Sequence, residues 1–144
     1  MSNLTFSHIG QSISETKFVG ESRKFQITID EPPDLGGKDE AANPVEYTLA
    51  SLAGCLNVVA HLIAKELGIE LKSLKINIEG DLNPSKLLSG DNSARAGFSD
   101  IRVNLDVDSD ADQQLLDKWL QIVRDRCPVT DNLANPTNVE IHVW

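Results

Sequence analysis

Between Asn43 and Gly68 the chain writes out a complete helix. Asn43 is suited to the N-cap, Pro44 to the first helical position, and Glu46 stands where it completes a capping box. Leu49, Leu52, Leu56, Val59, Ile63 and Leu67 follow at steps of three or four, and Gly68 is placed for the C-terminal cap. Such a helix is predicted to be long and largely buried, so the rest of the chain must be arranged around it. Ala50, Ser51, Ala53 and Gly54 lie next to Cys55. A helical glycine costs about 1 kcal/mol relative to alanine, so Gly54 points to a close approach by another element or a partner chain.

The flanking segments supply strands. Phe6 to Val19 is weakly patterned and begins a sheet, and Phe25 to Asp30 alternates apolar side chains on one strand face. Glu31-Pro32-Pro33-Asp34-Leu35-Gly36-Gly37 ends that strand. Leu74 to Glu79 and Ile101 to Val107 alternate again, and residues 83–97 between them carry turn formers, as a loop, a wide hairpin or a flap. Ser109 is predicted to cap a second helix running to about Arg124, with Leu115, Leu116, Trp119, Leu120 and Val123 on its packing side. Val139 to Trp144 is predicted to be a final strand. This order predicts one domain spanning residues 1–144, a two-layer α+β arrangement with an antiparallel sheet and helices on one side.

At 144 residues the chain is the size of one ordinary domain. Its formal net charge of -9 and the lack of any long basic block argue against nucleic acid and anionic lipid as partners, and favour a neutral or apolar one. No cationic segment followed by an apolar run opens the chain, and the longest apolar stretch is interrupted by Asn57, His61 and Lys65. A cytoplasmic location with no membrane span is the expectation.

Cys55 and Cys127 are the only cysteines and stand 72 positions apart, a spacing of neither a zinc knuckle nor a CxxC dithiol. In a reducing compartment two readings are open: buried free thiols, or a pair assembled by the fold that cycles through a disulfide. Thr48 and Ser51 share the helix face of Cys55, being rotated by about 20 and 40 degrees from it. Cys127, followed by Pro128, is a candidate helix N-cap whose thiolate would be favoured by backbone donors, with Arg124 and Arg126 close in sequence. His61, six positions beyond Cys55, falls on another part of the helix surface and does not suit a Cys-His hydrolase. His8, His61 and His142 have no metal-ligand spacing, so neither a metal nor a bound cofactor is expected.

The Pro32-Pro33-Asp34-Leu35-Gly36-Gly37 turn, the segment from Asn43 to Cys55, and the later Cys127-Pro128-Val129 together resemble the OsmC/Ohr family across nearly the whole chain. The resemblance implies an intertwined homodimer with a strongly curved antiparallel sheet around central helices. It implies a thiol-dependent peroxidase that reduces organic hydroperoxides to alcohols and is recycled by an external dithiol such as a lipoyl protein. Cys55 would then be the peroxidatic thiol and Cys127 the resolving one, with Leu52, Leu56 and partner residues bounding an apolar substrate pocket.

Two positions depart from the family pattern. The family's charge-partner glutamate directly follows Asn-Pro, where this chain has Val45, with Glu46 one place later. Glu46 lies about 180 degrees around and roughly 13 Å down an ideal helix from Cys55, which suits a capping acid better than an orienting group. In place of the family's upstream arginine this chain has Glu15, Thr16 and Lys17. Arg23 is the first candidate for a cation beside Cys55, with Lys17, Arg124 and Arg126 as alternatives. The same departures motivate a second implied class, a non-enzymatic protein that binds a small apolar ligand on the same scaffold.

Overall fold

The computed structural model describes all 144 residues, in two compact units, residues 1–48 and 49–144. In the first unit, β1 (Ile9–Ser12), β2 (Phe18–Ser22) and β3 (Phe25–Ile29) form an antiparallel meander. Ser22 pairs with Phe25, leaving Arg23-Lys24 as a two-residue turn in which Arg23 takes a left-handed φ of 58°. After β3, Pro33–Leu35 makes one 3₁₀ turn ended by Gly36 at φ 86°.

A single carboxylate organises the connection that follows. Asp30 has no exposed surface, and it accepts hydrogen bonds from Thr16 Oγ1 at 2.8 Å, Glu40 N at 3.1 Å and Lys38 N at 3.2 Å. The Glu40 N–H is the main cause of a carboxyl pKa lowered from 3.8 to about 2, with Glu31, Thr16 and Lys38 adding to it against the opposing effect of burial. Lys17 pairs with Glu40 at 2.9 Å on the same connection. No apolar side chain in residues 1–48 is buried.

α1 (Pro44–Leu67) begins in the first unit with the expected capping box: Glu46 N donates to Asn43 Oδ1 at 2.9 Å and Asn43 N to Glu46 Oε2 at 2.8 Å. In the second unit α1 buries Leu52, Leu56, Val59, Ala60, Ile63 and Ala64. The helix ends in a Schellman motif, with Gly68 at φ 70°, Ile69 N donating to Ala64 O at 2.8 Å and Gly68 N to Lys65 O at 3.3 Å. By length and composition α1 could span a membrane; here those six side chains join a core with Trp119 and Val123, while Val58 and Leu62 stay exposed.

β4 (Leu71–Leu82) and β5 (Phe98–Ser109) pair as a long antiparallel ribbon, extending the predicted strands at both ends. Their register sets Leu74 against Val107 and Ile76 against Leu105 on the core-facing side, while Lys75–Asp106 and Glu79–Arg102 face the other way. Phe98 lies so close to Gly80 that a Cβ there would meet its ring at 2.6 Å. The connection over residues 83–97 is a wide hairpin end that carries a short helix, α2 (Ser85–Ser89).

α3 (Gln113–Arg126) is capped by Asp112, whose carboxylate accepts from Leu115 N at 2.8 Å, and not by Ser109 as predicted. Ser109 is still paired with Leu71 in the ribbon, so the chain must turn before a helix can start. Trp119 Nε1 donates to Ala60 O at 2.9 Å, tying α3 to α1. α4 (Pro128–Ala134) follows directly. The predicted final strand is absent: residues 139–144 pair with no other strand, and Val139, Ile141 and Val143 are exposed. Alternation marks which side chains a strand would bury, but a strand exists only where a neighbour takes its backbone hydrogen bonds. The chain is thus α+β with antiparallel sheets, as expected.

Candidate functional site

The second unit brings the two cysteines together. Cys55 sits in the middle of α1 and Cys127 at the joint between α3 and α4; both are free thiols, and their Sγ atoms are 3.1 Å apart in a hydrogen bond. Cys127 has no exposed surface, whereas Cys55 is half-buried. Pro128 at the first position of α4 makes Cys127 its N-cap, and the Sγ accepts from Thr130 N at 3.5 Å.

The two thiols have opposite electrostatics. Burial pushes the Cys55 thiol up, the Val129 N–H opposes that, and the adjacent Cys127 adds to the rise. Burial would also raise Cys127, but hydrogen bonds from the Thr130 hydroxyl, Cys55 and the backbone of Thr130 and Val129 outweigh it, and its pKa is lowered. The shifts run in opposite directions and favour the thiolate on Cys127, although in the thiol form Cys127 donates to Cys55.

A cavity of about 500 Å³ lies near the pair; neither cysteine lines it, but sequence neighbours of both do. Leu52, three residues before Cys55 on α1, and Leu56, the residue after it, form part of its wall, as do Leu105, Leu120 and Leu133. Thr130, the residue that donates to Cys127, also lines it. The site is a chamber with leucine walls and a few polar residues, near a dithiol.

The charged residues singled out in the sequence are placed less simply. Glu46 is engaged in the capping box. Arg23 lies over the Phe25 ring, 5.0 Å from its centroid, and Lys17 is paired with Glu40. Arg126 makes a bidentate pair with Glu66, Nη1 to Oε2 at 2.6 Å and Nη2 to Oε1 at 3.2 Å, which fastens the end of α3 to α1. Arg124 lines the cavity. His61 bonds its own helix at Asn57 O. Arg95 and Thr130 also line the cavity and were not singled out; Thr130 had one legible signal, its place three residues past an N-cap cysteine, while Arg95 sits in a connection without periodicity.

The chain is 27% identical over 122 residues to the hydroperoxide reductase of Mycoplasma genitalium, covering 85% of this chain and 82% of that protein. It is 25% identical over 131 residues to the hydroperoxide reductase of Mycoplasma pneumoniae, with 90% and 86% covered. Among solved structures, the OsmC-like protein from Mycoplasma pneumoniae superposes with a TM-score of 0.79 at 20% identity, over 92% of this chain and 89% of that one. An organic hydroperoxide resistance protein from Elizabethkingia anophelis superposes with a TM-score of 0.64 at 16% identity, over 90% and 88%. A family profile described as OsmC-like protein matches residues 37–142, which carry both cysteines and every element from α1 onward, and this chain belongs to that family.

Proposed function

We propose that the protein is a cysteine-based peroxidase that reduces organic hydroperoxides to alcohols. The observation that carries this reading is the dithiol: two free sulfurs distant in sequence and 3.1 Å apart, with a leucine-walled cavity nearby. The names of the two Mycoplasma relatives, hydroperoxide reductases, point the same way.

Cys55 is the attacking thiol in this proposal, because Cys127 has no surface to present to a substrate. Cys55 passes its proton to the Cys127 thiolate across their hydrogen bond, and the new Cys55 thiolate attacks the distal peroxide oxygen. The O–O bond breaks, Cys55 becomes a sulfenic acid, and the alkoxide takes the proton back from Cys127 to leave as an alcohol. The Cys127 thiolate then attacks the Cys55 sulfur; a disulfide forms and the hydroxyl leaves as water on taking up a proton. An external dithiol, of which a lipoyl protein is one source, reduces the disulfide and is itself oxidised. Arg23, at a hairpin tip, remains the candidate cation to be supplied by a partner chain, and the place is cytoplasmic.

A homodimer belongs to the same proposal. Val58 is 65% and Leu62 45% exposed on α1, a Cβ at Gly54 would meet nothing within 4 Å, and the C-terminal apolar alternation is unpaired. Apolar surface of that kind on a core helix is what a second copy would cover. Light scattering at micromolar concentration tests it, and a stable monomer would refute it.

Stopped-flow consumption of cumene hydroperoxide, with mass spectrometry of the product, tests the chemistry. The expected result is a rate far above free cysteine, a Cys55–Cys127 disulfide, and loss of both in Cys55→Ser. A rate no higher than free cysteine would overturn it. The elevated pKa of Cys55 favours one other reading, a binder of small apolar ligands with no turnover; it predicts a saturable ligand held equally by Cys55→Ser.

A further inference from the structure

Cys127 is the joint between two helices, closing α3 and capping α4, and its sulfur is held from the α4 side. Thr130 N reaches it at 3.5 Å, and the Thr130 hydroxyl and the Val129 N–H act on it as well. From α1 the group that acts on it is Cys55, whose sulfur is 3.1 Å away. Charged side chains take no part. Arg126 is in its bidentate pair with Glu66, and Arg124 lines the cavity. Asp131 donates its amide to Cys127 O at 3.0 Å, and its carboxylate accepts from Asn135 Nδ2 at 3.1 Å. Negative charge on Cys127 is therefore met by the neutral donors of one helical turn, and Thr130 supplies two of them.

A disulfide sulfur carries no charge and is a weak acceptor, so these donors favour the reduced pair over the oxidised one. They also favour the moment at which a disulfide breaks, when the departing sulfur takes up the electron pair. Access decides which sulfur departs. Cys127 has no exposed surface, whereas Cys55 is half-buried and open to an incoming thiolate. Thr130 in turn lines the nearby cavity, which neither cysteine does.

We propose that Thr130 is a positioning residue for reopening of a Cys55–Cys127 disulfide, holding Cys127 Sγ as the leaving group so that an incoming dithiol enters at Cys55. The step belongs to the peroxidase reading, but the role of Thr130 in it needs no peroxide. A thiolate of the external dithiol attacks Cys55 Sγ, the S–S bond breaks, and its electron pair goes to Cys127 Sγ, facing the Thr130 hydroxyl and amide. The second thiol of the reductant loses its proton to water and attacks the reductant's own sulfur in the mixed disulfide. Cys55 leaves as a thiolate and takes up a proton. The external dithiol ends as a disulfide, and the protein pair has gained two electrons.

Diamide makes the disulfide from the two thiols without any peroxide, being itself reduced to the hydrazine, and so separates this role from turnover. The rate of reopening by dithiothreitol is then compared in the unmodified protein, Thr130→Val, which keeps the amide and the branched shape, and Thr130→Ser, which keeps the hydroxyl. The expected result is a rate about ten-fold lower in Thr130→Val and restored in Thr130→Ser. In a Cys55→Ser background the titration of Cys127, followed by thiolate absorbance, should move up by about one pH unit with Thr130→Val and stay where it is with Thr130→Ser. In the unmodified protein, glutathione followed by an iodoacetamide quench and mass mapping should place glutathione on Cys55 and the alkyl group on Cys127. An unchanged rate and titration in Thr130→Val, a loss that Thr130→Ser does not restore, or glutathione on Cys127 would each overturn the proposal. If all three expected results are found while cumene hydroperoxide is consumed no faster than by free cysteine, the peroxidase reading alone fails.

Discussion

Residues 1–48 and 49–144 are built on opposite principles. Every buried apolar side chain belongs to the second unit, and the first buries only Gly20 and the carboxylate of Asp30. The second unit holds its shape by close packing, which fixes positions to within a fraction of an ångström and keeps two sulfurs at 3.1 Å. The first holds its shape by strand pairing and by hydrogen bonds converging on one charged group. Chemistry that needs a fixed S–S geometry sits in the packed unit. The hydrogen-bonded unit answers instead to pH, and it leaves Phe6, Ile9 and Phe25 exposed.

The contrast breaks first at the core. Ile63 has no exposed surface, so Ile63→Ala is expected to cost about 2–5 kcal/mol. In urea the midpoint should fall with the slope unchanged. Disulfide formation between Cys55 and Cys127 should slow as the walls loosen, while hydrogen exchange in residues 9–29 stays as it was.

Asp30 is the matching test of the first unit. Its carboxyl is held at about 2 against an ordinary 3.8, so its contribution to stability is fully present above the ordinary value and is lost as pH falls toward 2. Hydrogen exchange at residues 30–42 should rise over that window before the second unit responds. In Asp30→Asn the same residues should exchange fast at neutral pH, and the acid-dependent step should vanish; a step that persists would assign it to another group.

The capping box closes the first turn of α1. Asn43→Ala is expected to cost about 1 kcal/mol and to fray the first turn of α1 without altering the environment of Cys55. Thermal melting and thiol alkylation rates measure the two sides of that statement. The smallest effect is expected at Lys75, whose pair with Asp106 is 3.7 Å long and exposed at both ends. Lys75→Ala should change stability by less than about 0.5 kcal/mol, and a larger loss would mean that the outer face of the ribbon is covered.

Local rules carried the sequence reading a long way. α1 was legible to its caps, because Asn43, Glu46 and Gly68 act through bonds within three or four residues. β3, β4 and β5 showed in their alternation, and the N-cap role of Cys127 in the proline after it. The same rules misplaced the cap of α3 at Ser109, since the strand pairing of that residue is set by Leu71, far away in sequence. They also made a strand of Val139 to Trp144, where the side-chain pattern exists but no neighbouring backbone does.

By itself the sequence determined α1, the strands β3 to β5, the body of α3, both cysteines and the family that they indicate. Only the tertiary structure decided that the sulfurs meet, that their pKa values are pushed in opposite directions, and which arginines are free. Arg124 and Arg126 are two residues apart on one helix, yet one faces a cavity and the other is locked to Glu66. Pairing of charges and shifts in pKa depend on groups brought together from distant parts of the chain, and local periodicity holds no record of those neighbours.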